Sequence, residues 1–340
     1  MKHKRIVVFV VFIILLIAAA CTDKESLETT TQPDQEKNTS NAENDTMELP
    51  KEQLQKLDNG DAVQSLQTVL NKLGYEITIN GEFDASTVWA ITDIQLQHDA
   101  LLVTGIYTED TAQTIDTLLH ENTETFEPGN GLPAKTETAT TNHGTEVIAN
   151  PYEQLALVNK QHALPEDYIP EDLVIPDVRF PFTEDLPKKQ MRKIAASSLE
   201  ELFVAADEAG LDLFAQSGYR SYERQETIFA SNVEADGEEA ANKFSARPGE
   251  SEHQTGLTMD VTSPDIDFQL TTEFANTDEG KWLAQHAVDY GFIIRFPKGK
   301  EDITEYQYEP WHIRYVGKKA AKEITEQDVT LEEYLKQEEN

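Results

Sequence analysis

The chain has 340 residues and a formal net charge of −35, from 63 acidic against 28 basic side chains. Phosphate binding needs a basic face, so this balance argues against nucleic acid as a partner. A single cysteine excludes an intrachain disulfide, and the folded parts must rest on their apolar cores.

Lys2, Lys4 and Arg5 precede the apolar run Ile6 to Ala20, and Cys21 follows three alanines. A charged start, a short apolar core and small residues at a cleavage point make a secretory signal. A cysteine at that point resembles the lipobox of bacterial lipoproteins, with Ala18 where that motif carries leucine. The resemblance implies lipidation at Cys21, a membrane anchor and an extracytoplasmic location at the cell wall. Residues 22 to 50 are polar and hold few large apolar side chains. They cannot bury enough surface to order themselves, and they read as a disordered tether.

Residues 51 to 120 read as a small three-helix module. Val63, Leu66, Val69, Leu70 and Leu73 follow helical spacing up to Gly74. Further helices are expected from Ser86 to His98 and from Glu109 to Leu119. The segments Gly81-Glu-Phe83-Asp-Ala-Ser-Thr87 and Gly105-Ile-Tyr107-Thr-Glu-Asp-Thr111 echo each other. In each, a glycine turns the chain, an aromatic packs inward, and a threonine stands where its hydroxyl can cap a helix. With Gly60-Asp-Ala-Val63 and Leu66-Gln67, these repeats resemble the peptidoglycan-binding module found beside many wall hydrolases. That resemblance implies peptidoglycan as a partner.

Residues 121 to 150 are polar and read as a linker. The region 151–327 is long enough for one core of its own. Met191, Ile194, Ala195, Leu199, Leu202, Phe203 and Ala206 predict an amphipathic helix ending at Gly210. Strands are expected at Leu211–Ala215, Leu257–Val261 and Trp311–Val316. Helices are expected at Tyr222–Ala230 and Glu279–Tyr290, the last closed by Gly291 and followed by the apolar run Phe292–Phe296. Helices and short strands alternate without a doubly wound period. The expected fold is therefore α+β, with an antiparallel sheet carrying a zinc site. Residues 328–340 read as an acidic tail.

Two short segments carry the chemistry: Ser251-Glu-His253-Gln-Thr-Gly256-Leu-Thr-Met-Asp260 and Glu309-Pro310-Trp311-His312. They supply two imidazoles, one carboxylate ligand and one spare carboxylate. Catalytic zinc takes three protein ligands and leaves a fourth position for water. His253, Asp260 and His312 are read as the ligands of Zn2+, and Glu309 as the general base. The other histidines, His98, His120, His143, His162 and His286 among them, have no ligand-like setting. Arg220 falls at a strand-to-helix corner, where a guanidinium could fork onto a carboxylate or an oxyanion.

Ser217-Gly-Tyr-Arg-Ser221, the His253 to Asp260 segment and Glu309-x-Trp311-His312 look like the VanY-type D-alanyl-D-alanine carboxypeptidases. The resemblance covers about residues 151 to 325. It implies zinc on His253, Asp260 and His312, with Glu309 as catalytic base. It also implies that Arg220, Gln225 and Ser251 contact the substrate. The expected activity is removal of the terminal D-alanine from peptidoglycan stem peptides by a zinc D,D-carboxypeptidase. The alternatives are an L,D-carboxypeptidase on tetrapeptide stems and an inactive wall-binding or sensing lipoprotein.

Overall fold

The computed structural model describes residues 48–120, 126–133 and 139–336. The signal segment, Cys21 and the tether as far as residue 47 lie outside the described residues. Among the described residues, no helix is long and apolar enough to cross a membrane.

The N-terminal module is built on α1 (Asp61–Lys72), α2 (Ala85–Leu96) and α3 (Glu109–His120). Val63, Leu66 and Leu70 of α1 bury against Phe83, Ile91, Ile94, Tyr107 and Ile115. The internal echo has a physical cause. Gln67 in α1 is fully buried, and its Oε1 accepts from the backbone N–H of Asn80 and Gly81. Gln95 in α2 repeats this, accepting from the N–H of Thr104 and Gly105. Each glutamine amide also donates to the carbonyl just after the glycine and to a helix threonine: Glu82 and Thr87 for Gln67, Ile106 and Thr111 for Gln95. The expected threonine caps move three residues upstream. Asp84 accepts from Thr87 N–H, and Thr108 accepts from Thr111 N–H. Thr87 and Thr111 are thereby left to their glutamines.

Asp93, fully buried in α2, folds part of the polar stretch after residue 125 back onto the module. Its carboxylate accepts from the N–H of Gly129, Gly131 and Leu132 at 2.6–2.8 Å and from the Tyr75 hydroxyl at 2.6 Å. Removing it strands several donors at once, each costing about 1–3 kcal/mol if left unmade. Asp93→Ala is expected to destabilise the fold by about 3–5 kcal/mol. A urea unfolding midpoint close to that of the parent chain would refute this.

The catalytic part follows. Two short ladders flank it: β1 (Glu146–Val147) runs parallel to β2 (His162–Ala163), and β3 (Leu173–Val174) antiparallel to β4 (Met191–Arg192). Helix α4 (Lys193–Glu208) buries Ala195, Leu199, Leu202, Phe203 and Ala206. It closes at Gly210, whose φ of 76° lets Leu211 N–H return to the carbonyl of Ala206. That closure uses Leu211, so β5 starts later than expected, at Phe214–Ser217. Next come α5 (Tyr222–Asp236), α6 (Glu238–Phe244), β6 (Thr258–Thr262) and α7 (Asp278–His286). The helix expected over Glu279–Tyr290 tightens after His286 into a 3₁₀ turn, Ala287–Tyr290. Then β7 (Phe292–Phe296), the short α8 (Glu301–Thr304), β8 (Glu309–Tyr315), α9 (Lys318–Gln327) and α10 (Leu331–Leu335) complete the chain.

The main sheet has the order β5-β6-β8-β7, with every neighbouring pair antiparallel. Its core packs Met259, Val261, Ile313 and Phe292 against α4, Phe274 and Leu283. The acidic tail belongs to a second cluster, where Leu331 and Tyr334 of α10 meet Ile293, Val316 and Ile324.

The residues from Met47 onward cluster as one unit. Backbone groups join the module to the catalytic part: Gln154 N–H donates to Thr104 O at 2.9 Å, and the buried Arg192 guanidinium donates to Val103 O. The same guanidinium also reaches Tyr152 O and Asp172.

Candidate active site

The sheet register assembles the site. Asp260 in β6 lies directly opposite His312 in β8, so both side chains emerge together from one face. His253 arrives from the 3₁₀ turn Glu252–Thr255, which closes at Gly256 with φ 69°. A Cβ at Gly256 would stand 2.9 Å from Arg192 Cγ, so both conformation and space require glycine there. Arg220 follows the irregularity that ends β5, and its N–H donates to His253 O at 3.1 Å.

The three expected ligands come together and are buried. His253 Nε2 lies 3.4 Å from Asp260 Oδ2, and His312 Nδ1 lies 3.2 Å from Asp260 Oδ1. With one donor atom taken from each residue, the three lie within 4.8 Å of one another, close enough to share one ion. Asp260 Oδ1 is buried with no hydrogen-bond partner. The donor set, its spacing and that orphaned oxygen all fit Zn2+. Among the described residues, no other group of three or more His, Cys, Asp or Glu donors meets this test.

The two imidazoles turn different nitrogens to the centre, and their other nitrogens explain why. His253 Nδ1 lies 2.7 Å from Gly218 O, which leaves Nε2 for the metal. Burial lowers the His253 pKa to about 3, which keeps the ring neutral and ready to ligate. His312 Nε2 faces Glu252 Oε2 at 3.5 Å, which leaves Nδ1 for the metal. Burial works against charge on His312, but Asp260 and Glu252 outweigh it and raise its pKa to about 9.

Glu252 was not singled out by the sequence reading. Its Oε1 takes Arg295 at 2.7 Å and Arg314 at 2.8 Å, and Arg295 in turn grips Glu332 of α10 at 2.6 and 2.9 Å. Burial alone would raise the Glu252 pKa, yet the two guanidiniums hold it well below the ordinary carboxylate range. Strand alternation puts Arg314 on the face of His312, so Glu252 can serve both. An arginine inside each of two apolar strands was the available signal, because such a charge needs a buried partner.

Gly218 supports the site through close contact. A Cβ there would stand 2.4 Å from Gln190 O and 2.8 Å from Met259 Cε. Gly218→Ala is expected to shift the carbonyl that orients His253 and to weaken zinc binding by roughly 10–100-fold. Competition with a chelator reads this directly, and unchanged affinity would refute it.

Glu309 opens β8, opposite Phe296, with Oε2 3.8 Å from His312 Nδ1. Burial raises its pKa to about 7, with His312 opposing and Asp260 adding. Arg220 Nη1 donates to Gln225 Oε1 at 2.8 Å. Gln225 is buried behind Arg220, and its amide also donates to Ala246 O at 2.6 Å. It is not among the residues that line the cleft, and its side chain contacts Arg220. Ser251 lines the cleft and makes no side-chain cap to the turn that follows. The cleft holds about 200 Å³ and is lined by Arg220, Ser251, His253, Asp260, Glu309 and His312 among others.

Two family comparisons match the chain. D-alanyl-D-alanine carboxypeptidase (VanY) matches residues 188–318, and "Putative peptidoglycan binding domain" matches residues 59–115. The chain is 57% identical over 192 residues to "Putative carboxypeptidase YodJ" of Bacillus subtilis (strain 168), covering 56% of this chain and 70% of that protein. It is 33% identical over 189 residues to the bifunctional D-Ala-D-Ala dipeptidase and carboxypeptidase VanXYC of Enterococcus gallinarum, covering 53% and 92%. Among solved structures, the LdcB LD-carboxypeptidase superposes with a TM-score of 0.57 at 55% identity, covering 59% of this chain and 93% of that one. With the zinc-fitting cluster at its centre and a module matching the peptidoglycan-binding family ahead of its catalytic part, the chain belongs to the VanY family of carboxypeptidases.

Proposed function

We propose that the protein removes the terminal D-alanine from peptidoglycan tetrapeptide stems, as an L,D-carboxypeptidase. The observation that carries this choice is the likeness to the LdcB LD-carboxypeptidase, at 55% identity over 93% of that chain. The relative named for D-Ala-D-Ala cleavage stands at 33%. The D,D reaction on pentapeptides, expected first from sequence, is the second reading. It is favoured by the family description itself.

In this reading His253, Asp260 and His312 hold Zn2+. When bound, the ion polarises the scissile carbonyl and acidifies the attacking water. Glu309 takes the proton from that water and passes it to the leaving amine. Arg220, held by Gln225, forks onto the terminal carboxylate or the developing oxyanion. Ser251 offers its hydroxyl from the cleft wall. A base and an arginine in these places have no purpose in a purely wall-binding protein, which argues against the inactive alternative. The module contributes affinity for peptidoglycan, and the protein works outside the cytoplasm, anchored by lipid at Cys21.

The test is incubation of the zinc-loaded chain with a tetrapeptide stem and a pentapeptide ending in D-Ala-D-Ala, with products read by mass. Loss of alanine from the tetrapeptide supports the L,D reading. Loss from the pentapeptide alone replaces it with the D,D reaction. No loss from either, with zinc bound, would remove the exopeptidase reading.

A further inference from the structure

A cavity of about 380 Å³ lies where the module meets the catalytic part. Leu101, Leu102 and Val103, in the loop after α2, form one wall. Tyr152, Tyr168, Pro170, Asp172 and Arg192 form the other. The volume is in the range of small-ligand sites, about 300–1,000 Å³. Nothing in the hydrolytic roles above uses it.

Two polar groups of this lining are unsatisfied. Tyr168 is 5% exposed, and its hydroxyl is buried without a hydrogen-bond partner. Asp172 Oδ2 is also buried without a partner. The neighbouring cations are accounted for. Arg192 gives Nε to Asp172 Oδ1 at 2.8 Å, and its terminal nitrogens go to the carbonyls of Tyr152 and Val103. Lys193 is exposed. Burial pushes the Tyr168 pKa up, and Arg192 and Asp172 are the next influences on it, which sets the two orphan oxygens in one neighbourhood. Left unmade, such bonds cost stability.

The pair defines the ligand. Asp172 Oδ2 can only accept, and the Tyr168 hydroxyl has a proton to give. A ligand hydroxyl both donates and accepts, so it answers both. An ammonium would satisfy Asp172 and offer Tyr168 no acceptor. A carboxylate or phosphate would face three carboxylates, Asp99, Glu171 and Asp172. Leu101, Leu102 and Pro170 add the apolar surface that the C–H face of a sugar ring needs, and Leu102 is left 39% exposed. Tyr152 stands edge-on to Tyr168 at 5.2 Å and holds that ring in place.

We propose that this cavity binds a sugar unit of the peptidoglycan glycan strand, with Tyr168 and Asp172 reading one hydroxyl together. This rests on the reading of peptidoglycan as the partner and deepens it, because the seat is shared by the module and the catalytic part. Tyr168 O accepts from Gln254 Nε2 at 3.2 Å, so the seat is tied to the turn that carries His253.

The test is calorimetric titration of the zinc-loaded full chain with chitotetraose, a neutral oligomer of N-acetylglucosamine. The parent chain is expected to bind it, and Tyr168→Phe to weaken binding roughly fivefold or more. Leu102→Ser is expected to weaken it about threefold from the module side. The Tyr168 hydroxyl makes no bond within the chain, so Tyr168→Phe should leave the urea midpoint unchanged. A lowered midpoint would overturn the assignment, since the hydroxyl would then have a partner inside the fold. So would a parent chain that does not bind, or binding that Tyr168→Phe leaves intact, which would put the sugar elsewhere. Cleavage of a free tetrapeptide stem is read alongside. A chain that binds chitotetraose but cleaves no stem removes the carboxypeptidase reading and leaves this site standing.

Discussion

Glu309→Ala is expected to lower kcat by roughly 10²–10⁴-fold while the chain still binds one equivalent of zinc. The separation follows from geometry. His253, Asp260 and His312 make a complete three-donor set without Glu309. Glu309 stands 3.8 Å from the metal-facing nitrogen of His312, within reach of a water at the centre but outside the donor triangle. His253→Ala should instead lose both metal and turnover. Metal analysis beside steady-state kinetics distinguishes the two. Near-normal turnover in Glu309→Ala would remove Glu309 as the base. Loss of zinc in that variant would make it a ligand.

The second large effect is predicted at Glu252, which touches no substrate in this scheme. Glu252→Ala leaves Arg314 without its carboxylate and Arg295 with Glu332 alone. Breaking a buried pair from one side costs about 3–5 kcal/mol. The same change frees His312 Nε2, so zinc affinity should fall by roughly 10–100-fold as well. Thermal unfolding with and without zinc checks both halves. A variant of unchanged stability would mean that the arginines find other partners. Unchanged zinc affinity would mean that Glu252 serves the fold alone.

The reacting groups were legible because they crowd into two short segments of unusual composition. His253 and Asp260 are seven residues apart with Gly256 between them, and Glu309 and His312 are three apart at a strand start. Alternation even placed His312 and Arg314 on one face. Glu252 was hidden by its company. In a chain with 63 acidic residues, a glutamate between a serine and a histidine reads as solvated surface. Its partners lie 43 and 62 residues away, and Glu332 sits in a segment that read as a tail. Distances of that kind are set by sheet order, which local patterns do not encode. The module shows the same limit. Its helices were readable from apolar spacing, and its repeat from the glycines. The role of Asp93 was not, since the backbone groups it gathers come from a glycine-containing stretch 36 to 39 residues later.

The bond from Arg192 to Val103 O, with its neighbour from Gln154 N–H to Thr104 O, has a consequence for work on a polymer. Arg192 N–H also donates to Gly256 O at 2.8 Å, at the end of the turn that carries His253. The module and the turn that carries His253 are thus joined through the two ends of one arginine. A glycan strand gripped by the module would offer its side branches to the cleft at a set stride. Trimming along a strand should then be periodic, with some branches always in reach and others always passed over.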